Sequence, residues 1–357
     1  MVAVIRRFYV HNFRCLENFD LPIADKPSCL LIGKNGAGKT TVARALEVLQ
    51  KIARGTNRIK DVVGPNDITA GRTDIPMRFE IEAQLHGKIY SYTLAMELPD
   101  GFREMRIFEE ILKVDGVTVY ERELAQVVLY KYRDRVGKEL NDAHFSIDWH
   151  MVALPLVQLP PSDGRISIFI EWLSRMLILR PMPGLISGNS DGETEKPRSD
   201  VTDFGAWFYG LLGSVPSAYS KFDMCMKRFM PDAGSVRNVP AGTNAKSLII
   251  QFETQQGTRD IQFSELSDGE KCFMICAIVV AASDAYTPLF CFWDEPDNYL
   301  ALSEVGDFVM MLRSAFADKG QLVVTSHNPE AIQRFSYENT LLLSRKSHLE
   351  PVVVRSL

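Results

Sequence analysis

The sequence predicts an α/β fold with a mixed central sheet, an added antiparallel β-sheet and a compact helical insertion. Three observations carry this expectation. A strand, a glycine turn and a helix follow one another in "SCLLIGKNGAGKTTVARALEVLQKI". Two short apolar runs, residues 289–293 and 322–324, each end in polar residues, as strands of a parallel sheet do at a ligand-facing edge. Residues 76–125 alternate in the period-two manner of strands half buried in an antiparallel sheet.

Composition sets the outer limits. At 357 residues and 46% hydrophobic, the chain has enough apolar side chains for one large or two modest domains. The net charge of −5 gives no global basic signature, so contact with nucleic acid would come from a local patch or a partner. Two modest basic clusters, Arg6, Arg7 and Arg14, then Lys131, Arg133, Arg135 and Lys138, read as solvated surface. Arg6, Arg7, His11 and Arg14 interrupt the opening too early for a secretory h-region, and no apolar run approaches the roughly 20 residues of a membrane span. A cytoplasmic protein with no membrane contact is expected. The six cysteines form no CxxC pair and several lie in apolar runs, which reads as buried, reduced thiols.

In chain order, the first element is the apolar run Leu30, Leu31, Ile32, which leads into Gly33, Asn35, Gly36, Gly38, Lys39 and Thr40 and then into a helix with Val42, Ala45, Leu46 and Leu49 on one face. The spacing fits G-x-x-x-x-G-K-[ST], a loop whose backbone N–H groups surround a β-phosphate while the lysine neutralises charge and the hydroxyl of Thr40 ligates Mg²⁺. In residues 76–125 the turns "LHGK" and "VDGV" place Gly between apolar runs, as hairpins require. Residues 165–180 are apolar at helical spacing, "PMPGLISGNSDGETEKPRSD" reads as a flexible surface loop, and "FGAWFYGLLGSVPSAYSKFDMCMKRFM" continues as helix. No long heptad array occurs, which argues against coiled-coil arms.

"SELSDGEKC" is a second Ser/Gly turn about 230 residues beyond the first. Ser267 has the character of a helix N-cap before "KCFMICAIVVAA", so the turn offers backbone N–H groups and a positive helix end to an anion. In "TPLFCFWDEPDNYL", Asp294 stands at a strand end where it can hold Mg²⁺, and Glu295 where it can orient and deprotonate water. In "KGQLVVTSHNPEAI", His327 follows a short buried strand and reads as a donor to a γ-phosphate.

Taken in order, the phosphate loop, "LSDGEK", "DEP" after an apolar strand and the strand-end histidine resemble the ABC-ATPase superfamily. More narrowly, "VIRRFYVHNFRCLENFDLPI" followed by "LLIGKNGAGKTT" looks like the RecF, SMC and OLD-type branch. Motif-level resemblance covers about residues 1–50 and 260–335. It implies an ABC-type P-loop ATPase head using ATP and Mg²⁺. Thr41 then lies beside the α-phosphate, Ser267 and Gly269 are the signature residues, Thr40 and Asp294 the metal residues, Glu295 the catalytic base and His327 the switch histidine. Asn12 and Arg14 fall in the segment near the base in such heads. Ala301 departs from the pattern, since the family often has Asp or His there, so Asp297 or Asn298 would make the dimer-crossing contact. The glutamine between the lobes has Gln84 and Gln158 among its candidates.

The implied organisation is an N-terminal lobe at 1–125, a mainly helical insertion at 126–258 and a C-terminal lobe at 259–357. The signature turn implies a homodimer or higher oligomer that sandwiches ATP, the missing phosphate being held by Lys39 of another subunit. Resemblance to this branch implies DNA maintenance or antiviral defence through a separately encoded nuclease or toxin. The stretch after His327 is too short for the acidic nuclease domain of OLD proteins. The alternatives are a RecF-like repair ATPase acting directly on DNA and, further off, a transporter ATPase subunit.

Overall fold

The computed structural model describes residues 5–130, 142–158, 163–243 and 245–357. The predicted basic cluster of Lys131, Arg133, Arg135 and Lys138 lies outside these residues. The chain opens with β1 (Ile5–His11), β2 (Phe19–Asp20), β3 (Ser28–Ile32) and α1 (Lys39–Ala53). A run of strands follows: β4 (Met77–Leu85), β5 (Lys88–Glu97), β6 (Arg106–Val114), β7 (Val117–Glu123), β8 (Gln126–Leu129) and β9 (Ala143–Ser146). Next come α2 (Arg165–Arg175), β10 (Leu177–Leu179), β11 (Asn189–Ser190), α3 (Phe204–Ser214), α4 (Ala218–Phe229), β12 (Ala233–Pro240), β13 (Lys246–Thr254) and β14 (Gly257–Gln262). The last part holds α5 (Asp268–Ala285), β15 (Leu289–Asp294), α6 (Leu302–Phe316), β16 (Gly320–Thr325), α7 (Pro329–Arg334), β17 (Thr340–Ser344) and β18 (Val353–Ser356).

The chain divides into two compact units. The first comprises Met1–Lys26, Ile32–Ser174 and Leu341–Leu357, and the second Pro27–Leu31 and Arg175–Thr340. In the first unit, an eight-stranded antiparallel sheet runs in the order β2-β1-β4-β5-β6-β7-β8-β9. The alternation in the sequence becomes alternating burial; β4 buries every second residue from Met77 to Leu85. Two of its hairpins turn on His86-Gly87 and Asp115-Gly116, all four residues at positive φ, the backbone that a two-residue turn demands. Phe169 of α2 stacks on Tyr90 with ring centroids 5.8 Å apart and fixes that helix to the sheet.

A buried ionic cluster lies within this unit. Glu110 is fully buried and accepts from the hydroxyls of Tyr92 at 3.0 Å and Tyr120 at 2.8 Å. It also accepts from the backbone N–H groups of Ala153 and Leu154, both at 2.8 Å. Arg122, also buried, lies 3.7 Å from Glu110 and donates to the carbonyls of Leu124, Asp148 and Met151. Burial pushes the Arg122 pKa down and the Glu110 carboxylate opposes that shift. The pair therefore ties the segment around 148–154 to the sheet through hydrogen bonds that only a charged carboxylate and a guanidinium supply together.

In the second unit, four parallel strands run in the order β10-β15-β16-β3. All of β16 is buried and β15 is buried up to Trp293, as expected of strands covered on both faces. Helix α5 is buried on every side from Lys271 to Ser283, which explains why its sequence shows no polar stripe. Phe273 of α5 stacks on Phe229 of α4 at 4.6 Å, and Trp293 meets Phe308 of α6 edge-on at 5.6 Å. A second, antiparallel sheet joins β11, β13 and β12, with β14 paired to β13.

The middle of the chain differs from its expected form in three places. The apolar run of 165–180 is helical only to Arg175; Leu177–Leu179 is a strand paired with β15, because a three-residue apolar run fits a parallel strand as well as a helix face. The "PMPGLISGNSDGETEKPRSD" segment contains β11, buried Ile186 and the carbonyl of Pro183 that accepts from buried Lys271, so it is packed structure. Residues 126–258 contain α2 to α4 but also β8 to β13. Helix α3 stops before Pro216, which cannot continue it, and α4 restarts after Ser217.

All six cysteines are free and buried. Burial pushes the Cys272 thiol up to about 12 and Cys291 higher still. Among the described residues no helix is long and apolar enough to cross a membrane.

Two measurements test this description. Glu110→Ala leaves Arg122 buried without its counter-ion and should lower stability by about 3–5 kcal/mol, read as an earlier denaturant midpoint; an unchanged midpoint would show the cluster to be dispensable. At pH 8 a thiol with a pKa near 12 is thiolate only about once in 10⁴ molecules, so Cys272 and Cys291 should stay unlabelled by a thiol reagent in native protein until denaturant is added.

Candidate functional site

The phosphate-binding pattern lies in the first unit. The chain leaves β3, turns through residues 33–38 and enters α1 at Lys39. The Lys39 ammonium folds back to donate to the carbonyl of Gly33 at 2.8 Å, bringing the lysine to the mouth of its own loop. Gly38 takes φ +99, a conformation that excludes most side chains, at the N-cap of α1. That helix has no acidic residue in its first turn, so no side chain there offsets the positive end of its dipole. Lys34, Asn35, Gly36 and Thr40 are exposed, and Thr41 Oγ1 accepts from the Cys15 thiol at 3.5 Å.

The β17–β18 hairpin holds the loop in place. A Cβ on Gly33 would lie 2.3 Å from the carbonyl oxygen of Leu343, and one on Gly38 2.7 Å from the Val352 side chain. Two of the glycines in the pattern are thus required by close approach of the hairpin, Gly33 by its backbone and Gly38 by a side chain. Val352 N–H donates to the Cys15 carbonyl at 3.0 Å and completes that packing.

Asn12 and Arg14 have other partners. Asn12 is fully buried and its amide donates to the carbonyls of Arg72 and Ile75 at 3.0 and 2.6 Å. Arg14 pairs with Asp67 at 2.7 Å. Gln84 lies near the hairpin end of β4, and Gln158 is exposed.

The second unit gathers the predicted carboxylates and histidine at the ends of β15 and β16. Asp294 and Thr325 are register partners, and the Thr325 hydroxyl donates to Asp294 Oδ1 at 2.5 Å. The same hydroxyl oxygen accepts from Glu295 N–H at 2.9 Å. Glu295 has φ +52, unusual for a residue with a side chain, and the Thr325 contacts hold it there. Its carboxylate accepts from Asn298 Nδ2 at 2.7 Å and lies 3.5 Å from His327 Nε2. Asp297 points inward: it is 6% exposed, accepts from the Ser326 hydroxyl at 2.7 Å, and its Oδ1 has no partner. Burial raises its carboxyl pKa and the Ser326 bond works against that rise. Of the residues predicted for a dimer-crossing role, Asn298 is the exposed one. Ala301 N-caps α6 without a side-chain acceptor, while Glu304 accepts its N–H at 3.0 Å.

Ser267 and Gly269 open α5 in the same unit. Ser267 is the N-cap: its hydroxyl accepts from Glu270 N–H at 3.3 Å and donates to the Glu270 carboxylate at 2.7 Å, which also accepts the Ser267 N–H at 2.7 Å. A Cβ on Gly269 would meet the Tyr299 carbonyl at 3.0 Å.

Thr325 and Ser326, which set the carboxylates, were visible in the sequence only as neighbours of His327. Their signal was hydroxyls at the end of a buried strand. Nothing in the sequence marked Leu343 and Val352 as partners of the phosphate loop.

A glycine-rich loop follows one strand of the parallel sheet, and adjacent carboxylates stand at the end of another strand of that sheet. Residues 4–115 match the family described as AAA ATPase domain. Over 46 residues the chain is 48% identical to an OLD nuclease of Thermus scotoductus (strain ATCC 700910 / SA-01), a stretch making up 13% of this chain and 8% of that protein. Over 76 residues it is 33% identical to the sn-glycerol-3-phosphate import ATP-binding protein UgpC of Rhodopseudomonas palustris (strain BisB5), 21% of each chain. The aligned stretches thus span a small part of these relatives. Among solved structures, an SMC head bound to the C-winged helix domain of ScpA superposes with a TM-score of 0.53 at 15% identity, over 99% of this chain and 98% of that one. An SMC head with an extended coiled coil, bound to the C-terminal domain of ScpA derived from Pyrococcus furiosus, gives 0.53 at 13%, over 99% and 96%. The chain is thus similar to AAA ATPase domains over residues 4–115, and its fold is that of SMC heads.

The contact at Gly33 makes a direct prediction. Gly33→Ala must displace backbone and should cost about 1–3 kcal/mol, whereas Gly64→Ala, whose methyl meets nothing within 4 Å, should leave the denaturation midpoint in place. Equal midpoints for the two variants would remove the hairpin as the constraint on the loop.

Proposed function

We propose that this protein binds and hydrolyses ATP, that two copies sandwich the nucleotide, and that the cycle controls a separately encoded effector, a nuclease or toxin acting in DNA maintenance or antiviral defence. The observation that carries the nucleotide reading is the loop opening α1, with Lys39 turned to the Gly33 carbonyl and Gly38 at positive φ.

In this reading Gly33, Asn35, Gly36, Gly38, Lys39, Thr40 and Thr41 bind the phosphates. The Thr40 hydroxyl and the Asp294 carboxylate are oxygen donors of the type a hard cation takes, and would hold Mg²⁺. Bound there, the ion supplies neutralisation of phosphate charge. Glu295 orients a water and takes its proton. Asn298 holds that carboxylate and the Thr325 hydroxyl holds the backbone N–H of Glu295, so the residue need not reorganise at the moment of reaction. His327, 3.5 Å from Glu295, donates to the terminal phosphate and stays aligned through the carboxylate it faces. Ser267 and Gly269 contact the nucleotide of the other copy.

Similarity to an OLD nuclease supports the defence or DNA-maintenance setting. A RecF-like ATPase acting directly on DNA is the alternative. A transporter ATPase subunit is the more distant alternative, with similarity to the import ATPase over 21% of this chain behind it.

Three variants separate the parts of the proposal. Lys39→Ala should abolish ATP binding. Glu295→Gln should bind ATP yet lose turnover by at least about 100-fold, and should accumulate an ATP-dependent dimer on sizing. Ser267→Arg should prevent that dimer without weakening ATP binding to the single copy. Turnover unchanged in Glu295→Gln would remove Glu295 from the mechanism, and a nucleotide-independent oligomer indifferent to Ser267→Arg would remove the sandwich.

A further inference from the structure

The β17–β18 hairpin follows the phosphate loop along its length. Leu343 abuts Gly33, His348 Nε2 lies 3.8 Å from where a Cβ of Gly36 would stand, and Val352 packs on Gly38. Strands and loop are thus held in a fixed correspondence, and residues 345–350 form an arch over the outer bend of the loop. Between arch and loop lies a cavity of about 360 Å³, lined on one side by Lys34, Asn35, Gly36 and Ala37 and on the other by residues 342–348.

The chemistry of this cavity is one-sided. Lys34, Arg345, Lys346 and His348 line it and no carboxylate does, although the chain as a whole carries a net charge of −5. Arg345 is committed to building the arch: its guanidinium donates to the carbonyls of His348 and, at 2.7 Å, Glu350. The arch is further tied by the Leu349 N–H to Ser347 Oγ contact at 3.3 Å. Lys346 and His348 are exposed, and among the described residues neither side chain has a hydrogen-bond or ion-pair partner. Two cationic donors therefore stand over the bend of the phosphate loop with nothing of opposite charge in the cavity to satisfy them.

We propose that this arch is a second, cationic lip of the nucleotide site, where Lys346 and His348 hold the polyphosphate of a nucleoside triphosphate from the side opposite the loop. The proposal rests on the nucleotide reading above and adds residues to it that the phosphate-loop pattern does not contain. Arg345 acts through the arch and is a positioning residue. The ligand class follows from the wall opposite the arch: Asn35 and Gly36, which line it, belong to the phosphate-binding pattern, so the anion proposed for these cations is the phosphate chain. A nucleic-acid backbone would need a basic track continuing beyond the cavity.

The test is a binding titration of the full chain with ATP in the presence of Mg²⁺ and, separately, with inorganic tripolyphosphate. The wild type is compared with Lys39→Ala, Lys346→Ala, His348→Ala, the double variant of 346 and 348, and Lys113→Ala as an exposed lysine on β6. Losing two charge-assisted donors should weaken both ligands by about 10-fold or more in the double variant. Lys113→Ala should match the wild type, and Lys346→Glu should weaken binding further than Lys346→Ala. If the double variant binds both ligands as the wild type does while Lys39→Ala has lost ATP, the arch proposal falls and the nucleotide reading stands. If the wild type binds no ATP, the nucleotide reading falls, and wild-type affinity for tripolyphosphate in the double variant overturns the arch as well. If instead affinity for a DNA oligonucleotide drops while both phosphate ligands bind normally, the cations serve nucleic acid and the proposal is overturned.

Discussion

The Leu343 carbonyl oxygen occupies the space a side chain on residue 33 would need, 2.3 Å from the position of its Cβ. This backbone-on-backbone contact does more than tolerate glycine. It fixes where the phosphate loop begins relative to β17, and the second contact, Val352 on Gly38, fixes where the loop ends and α1 begins. A loop bound at both ends has few ways to rearrange, so its N–H groups meet an anion already oriented and little ordering entropy remains to be lost on binding. In the proposed nucleotide reading, the packing of Leu343 and Val352, residues with no polar side chain to offer, becomes part of the recognition of phosphate.

The carboxylates in the other unit are organised by a different device, a pair of hydroxyls at the end of β16. Thr325 is fully buried and bridges Asp294 and the backbone of Glu295; Ser326, 1% exposed, holds Asp297. Adjacent carboxylates repel one another, and a hydroxyl that donates to one while accepting an N–H beside the next separates their directions without adding charge. Alanine at 325 would leave Asp294 and the Glu295 N–H without their common partner, and the positive φ of Glu295 would lose what sustains it. Strand register accounts for the arrangement: Asp294 lies opposite Thr325, so a one-residue slip would turn the hydroxyl to the wrong face.

The sequence made the parallel strands and the phosphate loop legible because each depends on local chemistry. Glycine spacing, a lysine at a helix start, and apolar runs ending in carboxylates are readable without knowing what packs where. The alternation of residues 76–125 translated directly into β4 to β7. Three features escaped for one reason, that their signals are non-local. Leu177–Leu179 is a strand because β15 is there to pair with it, and the same residues would suit a helix. The segment before α3 is packed structure because β13 pairs with Asn189 and Ser190 and because Lys271 needs a carbonyl in its buried site. Glu110 and Arg122 lie within the alternating stretch, where nothing local marks them as buried; they are buried because residues at 148–154 supply their hydrogen bonds.

The turn at Ser267 shows how structure changes the weight of a sequence signal. Its attraction for an anion was expected from the positive end of α5, but that helix carries Asp268 and Glu270 in its first turn, and the Glu270 carboxylate is bonded to both the hydroxyl and the N–H of Ser267. Two acidic side chains at a helix start offset a macrodipole equivalent to roughly half a charge. In the isolated chain this end of α5 therefore does not hold out an unopposed positive field. On the proposed sandwich, a phosphate brought by another copy would compete with the Glu270 carboxylate for the hydroxyl and N–H of Ser267, trading one anion for another on the same donors. In that reading the capping box favours an incoming anion that bears more charge than a carboxylate over a loosely held one.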